Sequence, residues 1–294
     1  MVRVIAEIGC NHMGDLATAR EMVTVAARTC GAHVAKFQKR SNRELLPPDQ
    51  YDAPHPVPAN AFGATYGLHR EALEFTVDQH RELAAHAQAE GIGYATSVWD
   101  VTSARQMAGI DAALIKVPSA TNLHWALHDV LCGEFGGEIH VSTGMTTRED
   151  VAAIVDYYRE RGRVGDLVLY ACTSAYPARF DSLHLPEIAA MKAEYGNEVR
   201  AIGYSGHHLG IAIDIAAATL GAEWIERHFT LDRTWRGTDH AASLEPDGLR
   251  RLVRDLHAVE RAMVPRPSGI LPAEEDQHAK LKWRGPATAD TAAA

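Results

Sequence analysis

Residues 92–119, IGYATSVWDVTSARQMAGIDAALIKVPS, decide the fold. An apolar run (92–98) gives way to a helical stretch (101–109), and a second apolar run follows at 113–119. Strands separated by a helix pair in parallel, because a tight hairpin cannot join them. The same unit recurs outward in both directions. Upstream stand VRVIAEIG (2–9) and AHVAKFQ (32–38). Downstream come EIHVSTGM (138–145), LVLYACTS (167–174), AIGYSGH (201–207) and WIERHFTL (224–231). Helical stretches near 16–30, 77–90, 122–132, 148–162, 185–195, 210–221 and 246–263 fill the intervals. In the first of them Asp15 is placed to cap, and Leu16, Ala19, Val23, Ala26, Ala27 and Cys30 recur as one apolar stripe that Gly31 stops. Eight strand–helix repeats predict closure into an α/β fold of the (β/α)8 TIM-barrel class, with an open doubly wound sheet as the rival.

The chain has 294 residues, 46% of them hydrophobic and 23% charged, and a formal net charge of −9. One such barrel takes roughly 250 residues, which places the barrel at 1–265 and a C-terminal extension at 266–294. The tail from 264 (VPRPSGILPAEEDQHAKLKWRGPATADTAAA) shows neither strand nor helix periodicity and ends as low-complexity Ala/Thr, the pattern of a partly disordered end. Residues 40–76, rich in Pro and His, form a long connection after the second strand. They read equally as a lid or binding element and as a structureless surface insertion. The acidic balance argues against nucleic acid, yet a locally positive pocket can still take a small anion. No apolar run reaches the ~18 residues of a membrane span, and the N-terminus lacks the basic region of a signal peptide. Cys10, Cys30, Cys132 and Cys172 have no metal spacing. Together these features predict a cytoplasmic protein with reduced thiols and no membrane contact.

In a barrel, chemistry sits at the C-terminal mouth, so strand ends should collect polar residues that apolar strands do not otherwise want. They do. The first strand carries Glu7 and the second Lys36 and Gln38. The fourth carries Lys116 and Ser119, and the fifth ends in Ser142-Thr143-Gly144-Met145. The sixth leads to Thr173-Ser174 and Tyr176, the seventh to Ser205-Gly206-His207-His208, and the eighth to Glu226 and His228. The chain has only six lysines against 23 arginines, and two of the six lie in these apolar strands. A lysine in a strand is ordinarily an edge or snorkelling residue, but two buried near one mouth call for an anion such as phosphate or carboxylate. His207 and His228 close adjacent strands, so they are either satisfied core histidines or two ligands of one divalent metal. Glu7 offers a general acid or base. Asp239 and His240, in the loop after the last strand, are candidates for contacting substrate hydroxyls. Ser243 is placed to cap the final helix, ahead of Glu245 and Pro246.

The stretches AEIGCNHMGDLATAREM, GAHVAKFQK, YGLHREALEF, STGM, CTSAYP, GYSGHHLGIAI and ERHFTLDRTWRGTDHAASLEP resemble the sialic acid synthases. These are the N-acetylneuraminate and related nonulosonic acid synthases. The likeness runs from about residue 3 to about 265, and its wording is nearest to the 9-phosphate-forming branch. It implies a metal-dependent barrel that condenses phosphoenolpyruvate with an open-chain aldose, releasing phosphate and a nine-carbon 2-keto acid. Carried over, it implies that His207 and His228 bind Mn²⁺ or Mg²⁺. Lys36, Lys116, Ser142, Ser174 and Ser205 would hold phosphoenolpyruvate, although the family often has Asn where Ser174 stands. Glu7 would act at the reacting centre, and Gln38, Tyr176 and Asp239 would face the sugar.

Two departures modify these expectations. The usual GYSDH aspartate is Gly206 here. The sequence also ends before the C-terminal antifreeze-like domain usual in the family, whose arginine reaches the partner subunit's acceptor. Acceptor recognition is therefore expected to differ, which brings forward a hexose without an N-acetyl group, mannose or its 6-phosphate, beside N-acetylmannosamine and its 6-phosphate, with loop 40–76 taking over part of the contact through His55, Tyr66 and Arg70. A homodimer is compatible with the family habit. The runner-up function is a metal-dependent sugar-phosphate hydrolase or lyase using the same phosphate cradle, and a third is a relative that binds a metabolite without turnover. A synthase acting on an unusual aldehyde is a further variant.

Overall fold

The computed structural model describes residues 2–283. Eight parallel strands close into one barrel in chain order. They are β1 (Arg3–Gly9), β2 (Val34–Lys39), β3 (Gly93–Val98), β4 (Leu114–Val117), β5 (Glu138–Ser142), β6 (Leu167–Cys172), β7 (Ala201–Gly206) and β8 (Trp224–His228). The open-sheet rival is excluded, because β1 pairs with both β2 and β8. Most strands stop short of the apolar runs that announce them. β5 ends at Ser142 and β6 at Cys172, so Gly144, Met145, Thr173 and Ser174 belong to the loops of the mouth.

Local chemistry sets the helix starts. Asp15 accepts hydrogen bonds from the backbone N–H groups of Ala17 and Thr18 and opens the helix Leu16–Thr24, which continues as a π-helical turn over Val25–Thr29. Thr76 with Gln79, and Thr147 with Asp150, form reciprocal capping boxes at Val77–Glu90 and Arg148–Glu160. The final helix, Pro246–Ala262, does not use Ser243 as its cap. Ser243 Oγ instead donates to Asp239 O at 2.7 Å and accepts from Asn11 Nδ2 at 2.9 Å, which ties the loop after β8 to the end of β1.

Strand alternation sorts the side chains into two cores. Val4, Ala6 and Ile8 of β1 face outward under the helices, as do Ala35 and Phe37 of β2, within one large apolar cluster. The intervening residues face the barrel axis. Ile5, Val34, Ala95, Leu114, Val168, Tyr170, Ala201 and Trp224 form a separate apolar cluster there. Each is followed two residues later, one layer nearer the mouth, by a residue of the next axial level: Glu7, Lys36, Ser97, Lys116, Tyr170, Cys172, Gly203 and Glu226. An apolar plug thus fills the lower barrel, and most of the polar groups stand on top of it.

The connection 40–76 is not structureless. It holds the short helices Asn42–Leu45, Pro48–Asp52 and Tyr66–Ala72, and Arg40, Tyr51, His55, His69 and Arg70 are buried. The chain divides into a compact unit ending at Glu260 and a second beginning at Arg261. Within the second, against the expectation of no helical pattern, a 3₁₀ turn (Pro272–Glu274) leads into a helix over Glu275–Leu281. The frayed end expected at the C-terminus lies outside the described residues from 284 on.

Four buried histidines carry a pH dependence. His128 Nδ1 and His140 Nδ1 accept from the hydroxyls of Tyr158 and Tyr170, at 2.7 and 2.8 Å, while their Nε2–H groups face Asn122 O and Glu138. His80 meets the Tyr94 hydroxyl at 2.6 Å, and His12 stacks on Phe75. Burial lowers the pKa of His12 and His80 to about 3 and of His128 and His140 to about 4. Above pH 6.5 these rings are neutral folded or unfolded. Below it only the unfolded chain takes up their protons, so stability falls with pH until the folded pKa values are reached. Each histidine contributes a slope of about 1.4 kcal/mol per pH unit in that window. Urea midpoints should therefore hold steady from pH 8 to 7 and drop steeply from pH 6 to 5. A flat profile across pH 7 to 5 would contradict this.

Candidate active site

Strand register brings the predicted residues together. Glu7 stands beside Lys36 on one side and His228 on the other, and Ser205 stands beside Glu226. Glu226 and His228, two apart on β8, share the inner face. The mouth encloses a cavity of about 250 Å³ lined by Glu7, Lys36, Gln38, Lys116, Ser142, Ser174, Tyr176, Ser205, His207 and His228 among others. A larger cavity of about 500 Å³ lies at the opposite end of the strands, between Arg81 and Ala113, and carries only Arg81 and Asp111 as charged lining.

Two ammonium and two carboxylate groups form the floor. Lys36 Nζ lies 2.5 Å from Glu7 Oε2 and 3.6 Å from Glu226 Oε2, and it donates to Ser97 Oγ at 2.7 Å. Lys116 Nζ lies 2.6 Å from Glu226 Oε1 and 4.2 Å from the centre of the Tyr170 ring. Ser205 Oγ donates to Glu226 Oε1 at 3.2 Å, and Gln38 Nε2 donates to Glu7 Oε1 at 2.9 Å. All four charged groups are buried, Lys36 at 1% and Lys116 at 2% exposure. Burial pushes the Glu226 carboxyl up, but Lys116 and Lys36 more than offset this and hold it below the usual range. Burial likewise presses on Lys36, yet Glu226 and Glu7 beside it leave its pKa raised. Lys116 is lowered, by burial and by the neighbouring Lys36. These four groups sum to no net charge, so an entering anion has to share or displace the carboxylates' hold on the lysines.

Hydroxyls complete the floor on the β4–β6 side. Gly144 N–H donates to Ser119 Oγ at 3.1 Å, and Ser174 Oγ is buried with no hydrogen-bond partner. A Cβ at Gly144 would fall 2.4 Å from Ser174 Oγ and 2.6 Å from Ser119 Oγ, so glycine keeps this corner open.

The two histidines face each other with ring centres 5.5 Å apart. His207 Nδ1–H donates to Thr173 O at 2.9 Å, which leaves Nε2 with its lone pair free. Burial, and then His228 close by, lower its pKa to about 3, so it is neutral, as a ligand must be. His228 Nδ1 is buried without a hydrogen bond, 4.0 Å from Asp239 Oδ2. Tyr176 packs over His207 at 4.1 Å. Among the described residues no group of three or more His, Cys, Asp or Glu is placed to hold a metal ion.

Of the sequence candidates, Asp239 lies beside His228 in an adjoining cavity rather than on the floor. His240 is not brought to the mouth. It is 1% exposed, its Nδ1 meets Thr230 Oγ1 at 2.8 Å, and its ring packs against Trp235. The contact with substrate hydroxyls expected of it is not what this position offers. Sequence reasoning left Glu226 without a role, although its place two residues before His228 puts it on the same inner face. It also passed over Ser97 and Trp99, which reach the cavity from β3, a strand whose polar end had drawn no attention.

The fold and floor define an enzyme of the barrel class with a deep pocket of paired lysines and carboxylates at the C-terminal mouth. The NeuB family model matches residues 22–266, and the chain belongs to that family. It is 36% identical over 283 residues to the human N-acetylneuraminate-9-phosphate synthase, spanning 95% of this chain and 76% of the relative. It is 32% identical to the N,N'-diacetyllegionaminic acid synthase of Campylobacter jejuni, over 88% and 77% of the two chains. The crystal structure of an N-acetylneuraminic acid synthetase from Leptospira borgpetersenii superposes with a TM-score of 0.80 at 26% identity, covering 95% of this chain and 92% of that one.

Removing the Glu226 charge leaves two buried ammonium groups with one carboxylate between them. Glu226→Gln should cost about 3 kcal/mol of stability in urea unfolding. Inorganic phosphate should restore more stability to this variant than it adds to the wild type. Equal stabilisation of both proteins by phosphate would show that the lysines are not the anion site.

Proposed function

We propose that the protein is a phosphoenolpyruvate-dependent nonulosonic acid synthase. It condenses phosphoenolpyruvate with an open-chain aldose, N-acetylmannosamine, mannose or a 6-phosphate of either, to a nine-carbon 2-keto-3-deoxy sugar acid, and releases phosphate. One observation carries the reading: Lys36 and Lys116, buried beside Ser142, Ser174 and Ser205, stand in one cavity with Glu7, His207 and His228. The adjoining space, which shares Gln38, Trp99, Tyr176 and His228 with that cavity, favours a second substrate over simple hydrolysis.

Lys36 and Lys116 hold the phosphate and carboxylate of phosphoenolpyruvate, with the serine hydroxyls as further donors. Glu226 keeps the two ammonium groups together and charged before the substrate enters. C3 of phosphoenolpyruvate attacks the aldehyde carbon of the sugar, forming the new C–C bond as the C=O π bond breaks and its oxygen takes up a proton to become a hydroxyl, and C2 becomes electron-poor. Water adds at C2 and gives up a proton. The tetrahedral phosphohemiketal then breaks its C2–O bond, so that phosphate leaves and the ketone forms. Glu7, fixed by Gln38 and Lys36, is placed to orient that water or take its proton. Gln38, Tyr176 and Asp239 line the space for the sugar.

A divalent ion, Mn²⁺ or Mg²⁺, fits the two imidazoles: one has its tautomer fixed by Thr173, and the other has a buried nitrogen without a partner. His207 and His228 would hold it, and when bound it supplies a Lewis acid for the aldehyde oxygen.

Phosphate release should require phosphoenolpyruvate, an acceptor from this panel and Mn²⁺ together. EDTA should abolish it, and His228→Ala should lose at least about a hundredfold in kcat/KM without rescue by added metal. Release without acceptor would point to a hydrolase. Full activity in metal-free buffer would remove the ion from the reading.

A further inference from the structure

Between Glu226 and His228, which reach the site from β8, stands Arg227, whose side chain points the other way. It pairs across the sheet with Ala6 of β1 and Gly206 of β7 and lies on the outer face, under the helices. Its charge is met by Asp214, in the first turn of the helix Ala212–Thr219, with Nη1 2.5 Å from Asp214 Oδ2 and both side chains wholly buried. A buried ion pair is a poor source of stability, since apolar residues of similar volume often serve as well. The other hydrogen bonds of Arg227 show what the pair does besides.

They go to one loop. Nη2 donates to His208 O at 2.6 Å, and Nη1 donates to Gly210 O at 2.8 Å. The His208 ring completes the cluster, with Nε2 3.1 Å from Arg227 Nη1 and Nδ1 3.3 Å from the Tyr204 hydroxyl. Gly206 gives that ring its room, because a Cβ there would fall 2.9 Å from His208 Cε1 and 2.8 Å from Tyr204 Cε1. The loop, residues 207–211, joins β7 to the helix Ala212–Thr219, and its first residue is His207. On the β6 side His207 is held by Thr173 O, which accepts from Nδ1–H at 2.9 Å, and by Ala178 N–H, which donates to its carbonyl at 3.0 Å. Arg227 holds the carbonyls of the next residue and of the third after it from the β8 side.

We propose that Arg227 is a positioning residue. By bracing the loop after β7 against β8, it sets the His207 imidazole where it meets that of His228. One strand thus supplies His228 on its inner face and the brace for His207 on its outer face. That the two imidazoles bind a divalent ion rests on the synthase reading, whereas the hold on His207 rests on the hydrogen bonds of Arg227. The guanidinium touches no substrate and acts on the geometry of the pair through the backbone. A planar fork can serve two carbonyls and a carboxylate at once, which an ammonium cannot.

Mn²⁺ binding is measured by isothermal titration, without substrates, on the wild type, on Arg227→Lys and on the double variant Arg227→Met with Asp214→Leu. Lysine keeps a charge beside Asp214, and the double variant removes both charges together, so neither leaves a lone charge in the core. Urea unfolding confirms that each variant is folded. The Kd for Mn²⁺ should rise at least about tenfold in both. An unchanged Kd in a folded variant overturns the proposal, because a merely structural pair would move the urea midpoint alone. A second readout needs no metal. In protein labelled with ¹⁵N-histidine, the His207 ring N–H, identified by its absence from His207→Gln, is protected from exchange by Thr173 O. Its exchange should quicken at least about tenfold in Arg227→Lys, as the loop loosens. An unaltered exchange rate also overturns the proposal. A wild type that binds no Mn²⁺ would reject the metal reading, and the ring proton would then decide the positioning role by itself.

Discussion

The rest of the site depends on one carboxylate held by two ammonium groups inside a barrel. Glu226 contacts Lys116 at 2.6 Å and Lys36 at 3.6 Å, and Lys36 is shared in turn with Glu7 at 2.5 Å. Two lysines cannot be buried side by side unless something negative stands between them. Before substrate arrives, Glu226 is that something. The arrangement is neutral but under tension, since burial, and then the neighbour that shares its anion, lower the pKa of Lys116. In the function we propose, a substrate bearing phosphate and carboxylate supplies what the lysines lack, at the spot where they are already fixed.

The barrel makes this possible by giving every strand two buried faces. Residues such as Phe37 and Ile225 anchor the strands under the helices, and Ile5, Leu114 and Trp224 fill the axis beneath the charges. The apolar plug denies the lysines any route to water from below. Tyr170 joins the two layers: its ring carries Lys116 on its face, and its hydroxyl donates to His140. The position of an ammonium at the mouth is thus set by packing that reaches the middle of the barrel.

The fold was legible because its signal repeats. Eight apolar runs spaced by helical stretches leave little choice of architecture, and the residues at their ends announce the mouth. Lys36, Lys116, Ser205 and His228 were readable because charged or polar residues inside apolar strands need a reason. Glu226 drew no role, because a glutamate in a strand end has no distinctive spacing, and its meaning lies in cross-barrel partners over a hundred residues away. His240 failed for a different cause. The loop after β8 has no periodicity, so nothing in the sequence says which of two adjacent polar residues turns inward. Asp239 faces the cavity, while His240 is spent on Thr230.

The connection 40–76 shows how a composition that suggests disorder can encode a wall. It is rich in Pro, yet Gly67 lies against the ring of Tyr51, where an added Cβ would fall within 2.4 Å of the ring carbons. His55, Tyr66 and His69 pack on one another, and Arg70 is clamped beside Trp99 at the end of β3. That last contact ties the insertion to the barrel. Trp99 lines the floor cavity on one side and the adjoining cavity on the other, so the wall between them is a strand end rather than a free loop. A single aromatic side chain therefore stands between the floor lysines and the arginine of the 40–76 connection.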